Sequence, residues 1–519
     1  MARILWVDDE IEILQPHILF LKEKGYDVVT ATNGDDAVYQ VKHQPFDLVL
    51  IDEMMPGKDG LTTLNEIKDI SPYLPVIMIT KNEEESLMEE AIGQRIDDYL
   101  TKPVNPSQIL MACKKILDRN NIIEEKRSQR YAQELSQLSL ALMNPLSYEQ
   151  WIDIALKIFT MDIELDSILD ANFRSILYGQ RRELNNEFGK YIEKNYGKWV
   201  RQEATTDRPL FSTDIVKQFL MPPLKQGKQV IFLIIDCLRL DQWLTLEPFF
   251  SQWFNIDRKH YYSILPTATP FSRNALFSGL FPEDIEKFYP DLWSLNEDDE
   301  SLNRYEKELL DLQLKRQGLN LKNNLKYVKI MNSDDMRKLE RNLPNYLDVQ
   351  LTSIVVNIVD IIAHSRSDLP ILKEIAPDES AYRSLTRSWF EHSPLFSILR
   401  ELSKTDAEIF LTSDHGSVRC LRGTKVIGDR ETSTNLRYKY GRSLKVDQKH
   451  AVLLKEPAEW RLPKRGVNTT YVFAKEDYYL VYPTNYHKYL NYYKDSFQHG
   501  GISLEEMILP IVRLSGKNG

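Results

Sequence analysis

The sequence predicts an α/β protein in three parts: a doubly wound five-stranded domain, a helical connector bundle and a larger second α/β domain. Two observations lead to this fold class. Short apolar runs alternate with amphipathic stretches near both ends of the 519-residue chain, whereas the segment between them is charged and helical in pattern. Strands that alternate with helices form parallel sheets covered on both faces. The predicted domains are residues 1–118, 119–206 and 207–519.

The first domain contains five apolar runs that we interpret as strands, each followed by an amphipathic stretch. In a parallel sheet of this kind, ligands bind at the carboxyl ends of the strands. Polar residues that directly follow a strand are therefore the first candidates for a site. The predicted strands are residues 4–7, 28–31, 48–51, 76–79 and 98–100.

The connector lacks strand signals and carries apolar residues at helical spacing over residues 131–142. Pro145 ends that helix, and Ser147 with Gln150 predicts a capping box at the start of the next one. We expect a bundle of helices here. It is either a spacer or a dedicated signalling element.

The second α/β domain resumes after Pro222 and Pro223 with an apolar strand at residues 230–235. Residues 283–341 are charged and helical in pattern. We expect this stretch to be an insertion that covers one side of the domain.

Composition limits the class of function and the compartment. The net charge of −10 argues against broad electrostatic binding to DNA. Three widely spaced cysteines indicate a reducing environment without a disulfide framework. The start of the chain lacks the pattern of a signal peptide, and no apolar run approaches the roughly 20 residues of a membrane span. We expect a cytoplasmic protein with no membrane insertion.

Five polar residues follow the strands of the first domain: Asp8, Asp9, Asp52, Thr80 and Lys102. Acidic residues at single strand ends are often solvated turns, but all five belong to one sheet edge. Three carboxylates there would bind Mg²⁺, which prefers oxygen ligands. Asp52 would be the nucleophile towards a phosphoryl group, Lys102 would neutralise charge on its oxygens, and the Thr80 hydroxyl would bond the new phosphate.

The motifs around these residues resemble the receiver domain of response regulators. They read Val-Asp-Asp-Glu, Leu-Val-Leu-Ile-Asp-Glu-Met-Met-Pro, Met-Ile-Thr and Tyr-Leu-Thr-Lys-Pro. The resemblance covers residues 1–118 and implies phosphorylation of Asp52 by a sensor histidine kinase. It makes Tyr99 the aromatic switch residue, alongside Thr80 and Lys102. Similar receivers commonly dimerise when phosphorylated, so we expect a phosphorylation-dependent homodimer.

A second set of metal-ligating side chains lies in the distal half. One aspartate ends the apolar strand at residues 230–235, and an Asp-His pair four residues apart projects from one face of a helix. An Asp-His-Gly sequence follows another strand, and a last histidine opens a His-Gly-Gly turn. Two zinc ions need about this many protein ligands, with positions left for substrate. The residues are Asp236, Asp360, His364, Asp414, His415 and His499.

The candidate nucleophile of this second site is Thr269, which precedes Pro270 at a predicted helix start. A hydroxyl there could be ionised by zinc, and the helix N-terminus would favour a phosphate. Thr267 and Ser272 are neighbouring hydroxyls that could take the same role. Thr269 could also serve only as a helix cap.

This set resembles the alkaline phosphatase superfamily, and its PglZ branch in particular, over residues 207–515. The matching pieces are the strand ending in aspartate, Pro-Thr-Ala-Thr-Pro, the Asp-His pair, Ser-Asp-His-Gly and His-Gly-Gly-Ile-Ser-Leu-Glu-Glu-Met-Ile-Leu-Pro. The resemblance implies one zinc on Asp236, Thr269, Asp414 and His415. It implies a second zinc on Asp360, His364 and His499.

A receiver followed by a PglZ module resembles the response regulators linked to the type IX secretion system. That resemblance implies a partner sensor kinase, an influence on secretion and contact with a sigma factor or secretion-system component. Residues 437–442 interleave basic and aromatic side chains. They would either hold a nucleotide by stacking and phosphate contact or form a solvated strand with alternating faces.

Three functions compete at this stage. The first is a phosphorylation-controlled zinc phosphodiesterase or phosphatase that acts on small nucleotides or oligonucleotides. The second is a non-enzymatic adaptor in which the receiver and the PglZ domain bind a sigma factor or secretion component. The third, a DNA-binding regulator, is the weakest because no basic recognition helix follows residue 118.

Overall fold

A computed structural model describes the chain apart from a few short segments. The described residues divide into two compact units, Met1–Glu134 and Leu135–Gly519. No helix in the described part of the chain is both long enough and apolar enough to cross a membrane. The described residues are 2–72, 74–81, 96–166, 171–202, 207–295, 303–321, 323–368, 370–429 and 433–517.

The first unit contains the predicted parallel sheet, in the strand order β2-β1-β3-β4-β5. The helix predicted after the fourth strand falls on residues 82–95, outside the described residues. The strands are β1 Arg3–Val7, β2 Asp27–Ala31, β3 Leu48–Asp52, β4 Val76–Thr80 and β5 Asp98–Thr101. The helices between them are α1 Gln15–Glu23, α2 Gly34–His43 and α3 Gly60–Ile70.

Both faces of this sheet are buried, as a doubly wound fold requires. On β1, Leu5 and Val7 pack into one hydrophobic core while Ile4 and Trp6 pack into another. This follows from the alternation of side chains along a strand, which sends successive residues to opposite faces. The prediction of a doubly wound five-stranded domain is confirmed.

In its described residues, the connector consists of helices and the short turns between them. Three helices follow one another: α4 Pro106–Ala141, α5 Tyr148–Leu165 and α6 Ala171–Trp199. The predicted capping box is present, because the Ser147 hydroxyl accepts from the Gln150 amide at 3.3 Å and the Gln150 side chain accepts from the Ser147 amide at 2.8 Å. From Leu135 onwards this helical part belongs to the second compact unit.

In its described residues, the second unit is built on a six-stranded mixed sheet in the order β7-β19-β10-β6-β9-β8. The last four strands are parallel, whereas β7 and β19 run antiparallel to their neighbours. The carboxyl ends of β6, β9 and β10 therefore meet at one edge. The strands are β6 Val230–Ile235, β7 Phe254–Tyr262, β8 Leu325–Ile330, β9 Leu351–Val356, β10 Glu408–Thr412 and β19 Ile508–Gly516.

The expected helical insertion at residues 283–341 is wrong for one segment. Strand β8 lies within it and forms an edge of the main sheet, paired in parallel with β9. Only Leu325 and Ile330 of this strand are fully buried, and Lys326 and Lys329 are only partly covered. Edge strands commonly carry lysine. The sequence analysis missed this strand because its charged residues leave little alternation between apolar and polar positions.

The remaining elements surround this sheet. A π-helical turn, Val216–Leu220, and two 3₁₀ turns, Ser212–Asp214 and Pro457–Trp460, join them. The helices are α7 Met221–Lys225, α8 Leu240–Phe250, α9 Thr269–Ser278, α10 Pro282–Phe288, α11 Glu306–Arg316, α12 Ser333–Arg341, α13 Leu343–Tyr346, α14 Ile358–Asp368, α15 Pro370–Ile375, α16 Glu379–His392, α17 Pro394–Leu402, α18 Tyr486–Tyr493 and α19 Leu504–Met507. The smaller strands are β11 Val418–Cys420, β12 Arg422–Ile427, β13 Tyr438–Arg442, β14 Lys445–Val446, β15 Ala451–Leu454, β16 Thr469–Ala474, β17 Tyr478–Val481 and β18 Ser496–Gln498.

The basic and aromatic stretch at residues 437–442 is packed inside this unit. Arg437, Tyr438, Lys439 and Tyr440 are all buried, and the Arg437 guanidinium pairs with Glu506 at 2.6 Å. The solvated-strand interpretation is therefore wrong. Buried rings also cannot stack on a bound base, so the interpretation of these residues as a nucleotide-binding site is wrong as well.

Candidate functional site

The polar residues at the carboxyl edge of the first sheet lie close together. The Lys102 ammonium lies 3.1 Å from Asp8 Oδ2 and 3.0 Å from Asp52 Oδ1. Asp8 and Asp52 are buried, while Asp9 is exposed, and one carboxylate oxygen from each of the three lies within 4.8 Å of the others. Three carboxylates with one open side can hold a divalent cation that keeps several waters.

Burial sets the electrostatics of this cluster. It raises the pKa of Asp52, and the Lys102 ammonium partly opposes that rise. Burial also acts to lower the pKa of Lys102, but its bonds to Asp52 and Asp8 outweigh this effect and raise it. Asp8 and Asp9 repel a charge on Asp52. A bound cation would remove that repulsion and favour the ionised nucleophile.

The other two predicted receiver residues lie on neighbouring strands. Thr80 ends β4, and its hydroxyl donates a hydrogen bond to Glu53, the residue after Asp52. Tyr99 lies on β5 and its side chain is exposed. Their roles as switch residues stay predictions.

The metal-ligating residues of the second unit converge at the carboxyl ends of the parallel strands. Asp236 directly follows β6, and the Asp414-His415 pair lies just after β10. Helix α14, which follows β9, carries the Asp-His pair. The last histidine follows β18 and is brought back to the same edge. The structure thus joins residues that are up to 263 positions apart in the chain.

One ligand cluster consists of Asp360, His364 and His499. The Nε2 atoms of the two histidines are 3.1 Å apart, and Asp360 Oδ1 lies 3.4 Å from the first and 3.6 Å from the second. These three atoms surround one point, so all three side chains can bind one ion. His364 remains half-exposed, which leaves one side of the cluster open.

The other cluster consists of Asp236, Asp414 and His415, with Thr269 beside it. His415 Nε2 lies 3.5 Å from Asp236 Oδ1, 3.7 Å from Asp414 Oδ2 and 2.9 Å from the Thr269 hydroxyl. His415 Nδ1 lies 3.1 Å from the Gly416 carbonyl oxygen. A proton on Nδ1 leaves Nε2 free to bind a metal.

Both clusters fit zinc. Two ligands on a tetrahedral zinc, with bonds of about 2.0–2.1 Å, are separated by roughly 3.3 Å. The observed separations of 3.1–3.7 Å match that value. Among the described residues, Asp360 Oδ1 and Asp414 Oδ2 are buried and accept no hydrogen bond. Buried carboxylate oxygens rarely lack a partner, so these two atoms are suited to a cation.

The two clusters are adjacent. The rings of His415 and His499 are stacked with centroids 4.2 Å apart. Burial, with a further contribution from the neighbouring His415, holds the pKa of His499 well below its usual range. Burial, together with repulsion from Asp414 and Asp360, raises the pKa of Asp236 well above its usual range. The Arg273 guanidinium opposes that rise, and a metal ion beside these carboxylates would oppose it further.

Thr269 alone among the three candidate hydroxyls faces this centre. The Thr267 hydroxyl donates to the Gly501 carbonyl at 2.9 Å, and the Ser272 hydroxyl donates to the Ala268 carbonyl at 2.9 Å. Thr269 is the first residue of α9, with Pro270 after it, and its hydroxyl lies 3.5 Å from Asp236 Oδ1. The positive end of the helix dipole therefore lies at Thr269, where an anion would be favoured.

Sequence reasoning missed Arg273, which lies one helical turn after Thr269. Its buried guanidinium donates to Asp236 Oδ2 at 2.7 Å, to Glu306 at 2.8 Å and to Asn357 at 3.1 Å. It therefore holds one oxygen of Asp236 while the other faces the centre. Its spacing of four residues from Thr269 on a helix was the available signal.

Three family models match successive parts of the chain. A model of the response regulator receiver domain matches residues 4–114, and one of the PorX response regulator linker domain matches residues 121–200. A model of the BREX system PglZ alkaline phosphatase-like domain matches residues 215–514, which is more than half of the chain.

Two curated transcriptional regulatory proteins match a segment about as long as the receiver domain. The transcriptional regulatory protein ResD of Bacillus subtilis is 34% identical over 118 residues, which are 23% of this chain and 49% of ResD. The alkaline phosphatase synthesis transcriptional regulatory protein PhoP of the same organism is 34% identical over 122 residues, 23% of this chain and 50% of PhoP. The chain thus spans about half the length of these relatives. A CheY-like receiver domain protein from Methanospirillum hungatei JF-1 is 29% identical, with a TM-score of 0.23, and the match covers 23% of this chain and 97% of that one.

The fold and the acidic edge of the first unit define a two-component response regulator with a receiver domain. Its second unit contains an alkaline phosphatase-like domain. The chain belongs to the PglZ alkaline phosphatase-like family, and its receiver, linker and PglZ domains occur in the order of a PorX-like response regulator.

Proposed function

We propose that this protein is a phosphorylation-controlled phosphodiesterase with two zinc ions in its PglZ domain. Its substrates would be small nucleotides or short oligonucleotides. The observation that carries the proposal is the Thr269 hydroxyl, which lies at a helix N-terminus 2.9 Å from His415 Nε2 and beside two ligand clusters.

The chain's own residues would divide the work as follows. Asp360, His364 and His499 would hold one zinc, and Asp236, Asp414, His415 and Thr269 the other. Bound zinc would supply Lewis acidity, which lowers the pKa of a hydroxyl and neutralises charge on phosphate oxygens. Arg273 keeps the carboxylate of Asp236 in place through its 2.7 Å bond. Groups that are already in place before the reaction begins raise its rate by large factors.

Thr269 would act as a covalent nucleophile. Its oxygen forms a bond to phosphorus while the bond to the leaving alcohol breaks, and the alcohol takes up a proton. Water then hydrolyses the threonine phosphoester and restores the hydroxyl. The net reaction converts a diester and water into a monoester and an alcohol.

The receiver would control this reaction. Asp52 would accept a phosphoryl group from a sensor histidine kinase, with Mg²⁺ held by Asp8, Asp9 and Asp52. Thr80 and Tyr99 would then respond as switch residues. The match to the PorX linker supports a role in regulating type IX secretion, in which a sigma factor or a secretion component would be a further partner.

Metal analysis combined with a hydrolysis assay tests the proposal. The purified full chain is expected to contain close to two zinc ions and to hydrolyse bis-p-nitrophenyl phosphate and a dinucleotide. Removing zinc with a chelator should abolish the activity, and restoring zinc should recover it. Well-folded protein that binds no zinc would exclude the hydrolase and would favour the adaptor, in which the same domains only bind partners.

A further inference from the structure

Connector helix α6 is in direct contact with the segment that follows His499. Arg181 Nε donates to Glu505 Oε1 at 2.5 Å. One turn later, the Asn185 amide donates to both oxygens of Glu505, at 3.1 and 3.2 Å, and its oxygen accepts from the Leu504 amide at 2.8 Å. All of these groups are buried. The connector therefore holds α19 by a charged pair and three hydrogen bonds of Asn185.

The same short helix supports a ligand of each metal cluster. Glu506 accepts a hydrogen bond from the Gly501 amide at 2.8 Å, which fixes the turn that carries His499. The Gly416 amide, directly after His415, donates to the Glu506 carbonyl at 3.1 Å. A Cβ at Gly416 would lie 1.9 Å from the Glu505 carbonyl oxygen, so the two chain segments are in close contact. A shift of α19 would therefore displace both histidines.

A second contact of Arg181 links it to the chain segment that follows Asp236. Its Nη1 pairs with Glu379 and lies 3.2 Å from Asp162. Glu379 lies 3.3 Å from Arg239, which is three residues after Asp236. One connector arginine is thus linked to segments next to His499, His415 and Asp236.

The connector also continues directly from the receiver. Helix α4 begins at Pro106 and runs to Ala141 without a break. Near its end, the Ser139 hydroxyl donates to the Gln180 side chain at 3.1 Å, and Gln180 precedes Arg181. A movement of α4 would therefore be transmitted by this hydrogen bond to Gln180, the residue before Arg181.

This network has room to rearrange. A cavity of about 160 Å³ lies beside it and is lined in part by Arg181, Asn185, Glu379 and Glu505. A buried ion pair that loses one partner leaves an uncompensated charge, so such a pair favours discrete arrangements over gradual ones. Free volume next to the pair would allow a second arrangement.

We propose that Arg181 and Asn185 are positioning residues that place the zinc ligands His415 and His499 according to the state of the connector. The proposal rests on the proposed function and assigns the regulation of that same site. Neither residue belongs to the ligand clusters. They act through Glu505 and through the backbone of α19.

Zinc release and kinetics test this role in the full chain. Arg181→Gln and Asn185→Ala are expected to release zinc to a chelator about ten-fold faster and to lower kcat about ten-fold with little change in KM, which is the usual size of effect for residues that orient metal ligands. Arg181→Lys should recover part of both. The matched control is Arg182→Gln, whose side chain is exposed on the same helix and should behave as the wild type.

A double-mutant cycle separates positioning from simple stabilisation. Once Arg181→Gln has broken the pair, adding Glu505→Gln should change zinc release by less than about two-fold, whereas independent effects would multiply. If Arg181→Gln does not fold, Asn185→Ala and Ser139→Ala carry the test. Ser139→Ala is expected to keep basal activity and to lose most of the activity change caused by beryllofluoride.

Three outcomes can be told apart. Folded Arg181→Gln and Asn185→Ala proteins with wild-type zinc release and wild-type response to beryllofluoride would overturn the positioning role alone. A wild-type chain without zinc or hydrolysis would overturn the proposed function and this inference with it. Faster zinc release with a lost response would support both.

Discussion

At both sites, the chemical properties of individual residues depend on their burial at the ends of strands. Lys102 bridges Asp8 and Asp52, so a single ammonium compensates two buried carboxylates. At the other site Arg273 compensates Asp236, but Asp360 and Asp414 keep an oxygen without a hydrogen bond in the described structure. This difference in compensation supports the two proposals, a phosphoryl acceptor at the first site and a pair of metal ions at the second.

Labelling should identify the phosphoacceptor. Acetyl phosphate with Mg²⁺ is expected to phosphorylate the protein at Asp52, and Asp52→Ala should abolish the label seen by intact-mass measurement. Asp69→Ala, an exposed aspartate of the same domain, should be labelled like the wild type. Equal labelling of Asp52→Ala at another residue would contradict the assignment.

The role of the hydroxyl can be isolated by Thr269→Val, which keeps the size of the side chain. Diester hydrolysis should fall by a factor on the order of a thousand or more, because covalent catalysis needs the nucleophile. Zinc should largely remain through the other ligands. Ser272→Ala is the matched control, since that hydroxyl is bonded to the Ala268 carbonyl. Near wild-type activity of Thr269→Val would assign the attack to another oxygen.

The two ligand clusters should lose metal separately. His364→Ala or His499→Ala is expected to leave about one zinc per chain, because each removes a ligand of the same cluster. Asp414→Ala combined with His415→Ala should remove the other zinc. Elemental analysis of dialysed protein measures both, with His392→Ala, an exposed histidine, as the control. Loss of both ions from every variant would indicate a single shared site instead.

Among the secondary-structure elements, β8 and β13 depart most from their sequence signals. Strand β8 is an edge strand with lysines, while β13 carries a lysine inside the domain. The Lys439 ammonium donates to the Ser433 carbonyl at 3.0 Å and lies over the Tyr482 ring at 4.3 Å. Burial lowers the pKa of Lys439 to about 7. The charged form of this lysine is therefore costly to the fold.

That cost gives a pH dependence of stability with a defined sign. Below pH 7 Lys439 is charged in both the folded and unfolded states, so the burial penalty is fully present. Between about pH 7 and 10.5 the unfolded chain binds more protons, and stability rises with pH. Lys439→Met should therefore stabilise the domain most near pH 6.5, by at most about 5 kcal/mol, and much less near pH 9.5.

Chemical denaturation at the two pH values measures this difference. Lys445→Met, on the neighbouring and exposed β14, should show no such pH dependence. A constant effect of Lys439→Met across the range would mean that the lysine is neutral, or charged, at both pH values.

At the scale of the whole chain, one continuous helix, α4, starts within the first unit and ends within the second. The receiver is expected to change shape around Thr80 and Tyr99 on phosphorylation. A symmetric dimer formed through that face would place two connectors together. Coupling of only ~1–3 kcal/mol would be enough to alter affinity several-fold or more.

Phosphorylation should accordingly change assembly and activity together. Beryllofluoride, or phosphorylation of Asp52, is expected to raise both the dimer fraction and the diesterase rate of the same sample. Light scattering and a hydrolysis assay measure the two, and Asp52→Ala serves as the control that cannot respond. If the mass and the hydrolysis rate stay unchanged after confirmed phosphorylation, the receiver would act through partner binding instead.

The sequence by itself determined the fold class and most members of both sites. The alternation of strands and helices along the chain is a local property. It predicted the doubly wound sheet and placed Asp8, Asp52 and Lys102 at one edge. The helix-capping signal at Ser147 was equally local and is present. The distal aspartates and histidines could be selected because each follows a strand, shares a helix face or opens a Gly-Gly turn, which are short-range patterns.

Only the tertiary structure decided how those residues pair and which neighbours hold them. Whether Thr267, Thr269 or Ser272 faces the centre depends on where Gly501 and the Ala268 carbonyl lie, and Gly501 is more than 230 residues away. Arg181 and Glu505 likewise meet across 324 positions. Burial of Lys439 and pairing of β8 also arise from packing between distant segments. Such contacts leave no periodic trace in the chain, because charge compensation depends on distance in space and not on spacing along the sequence.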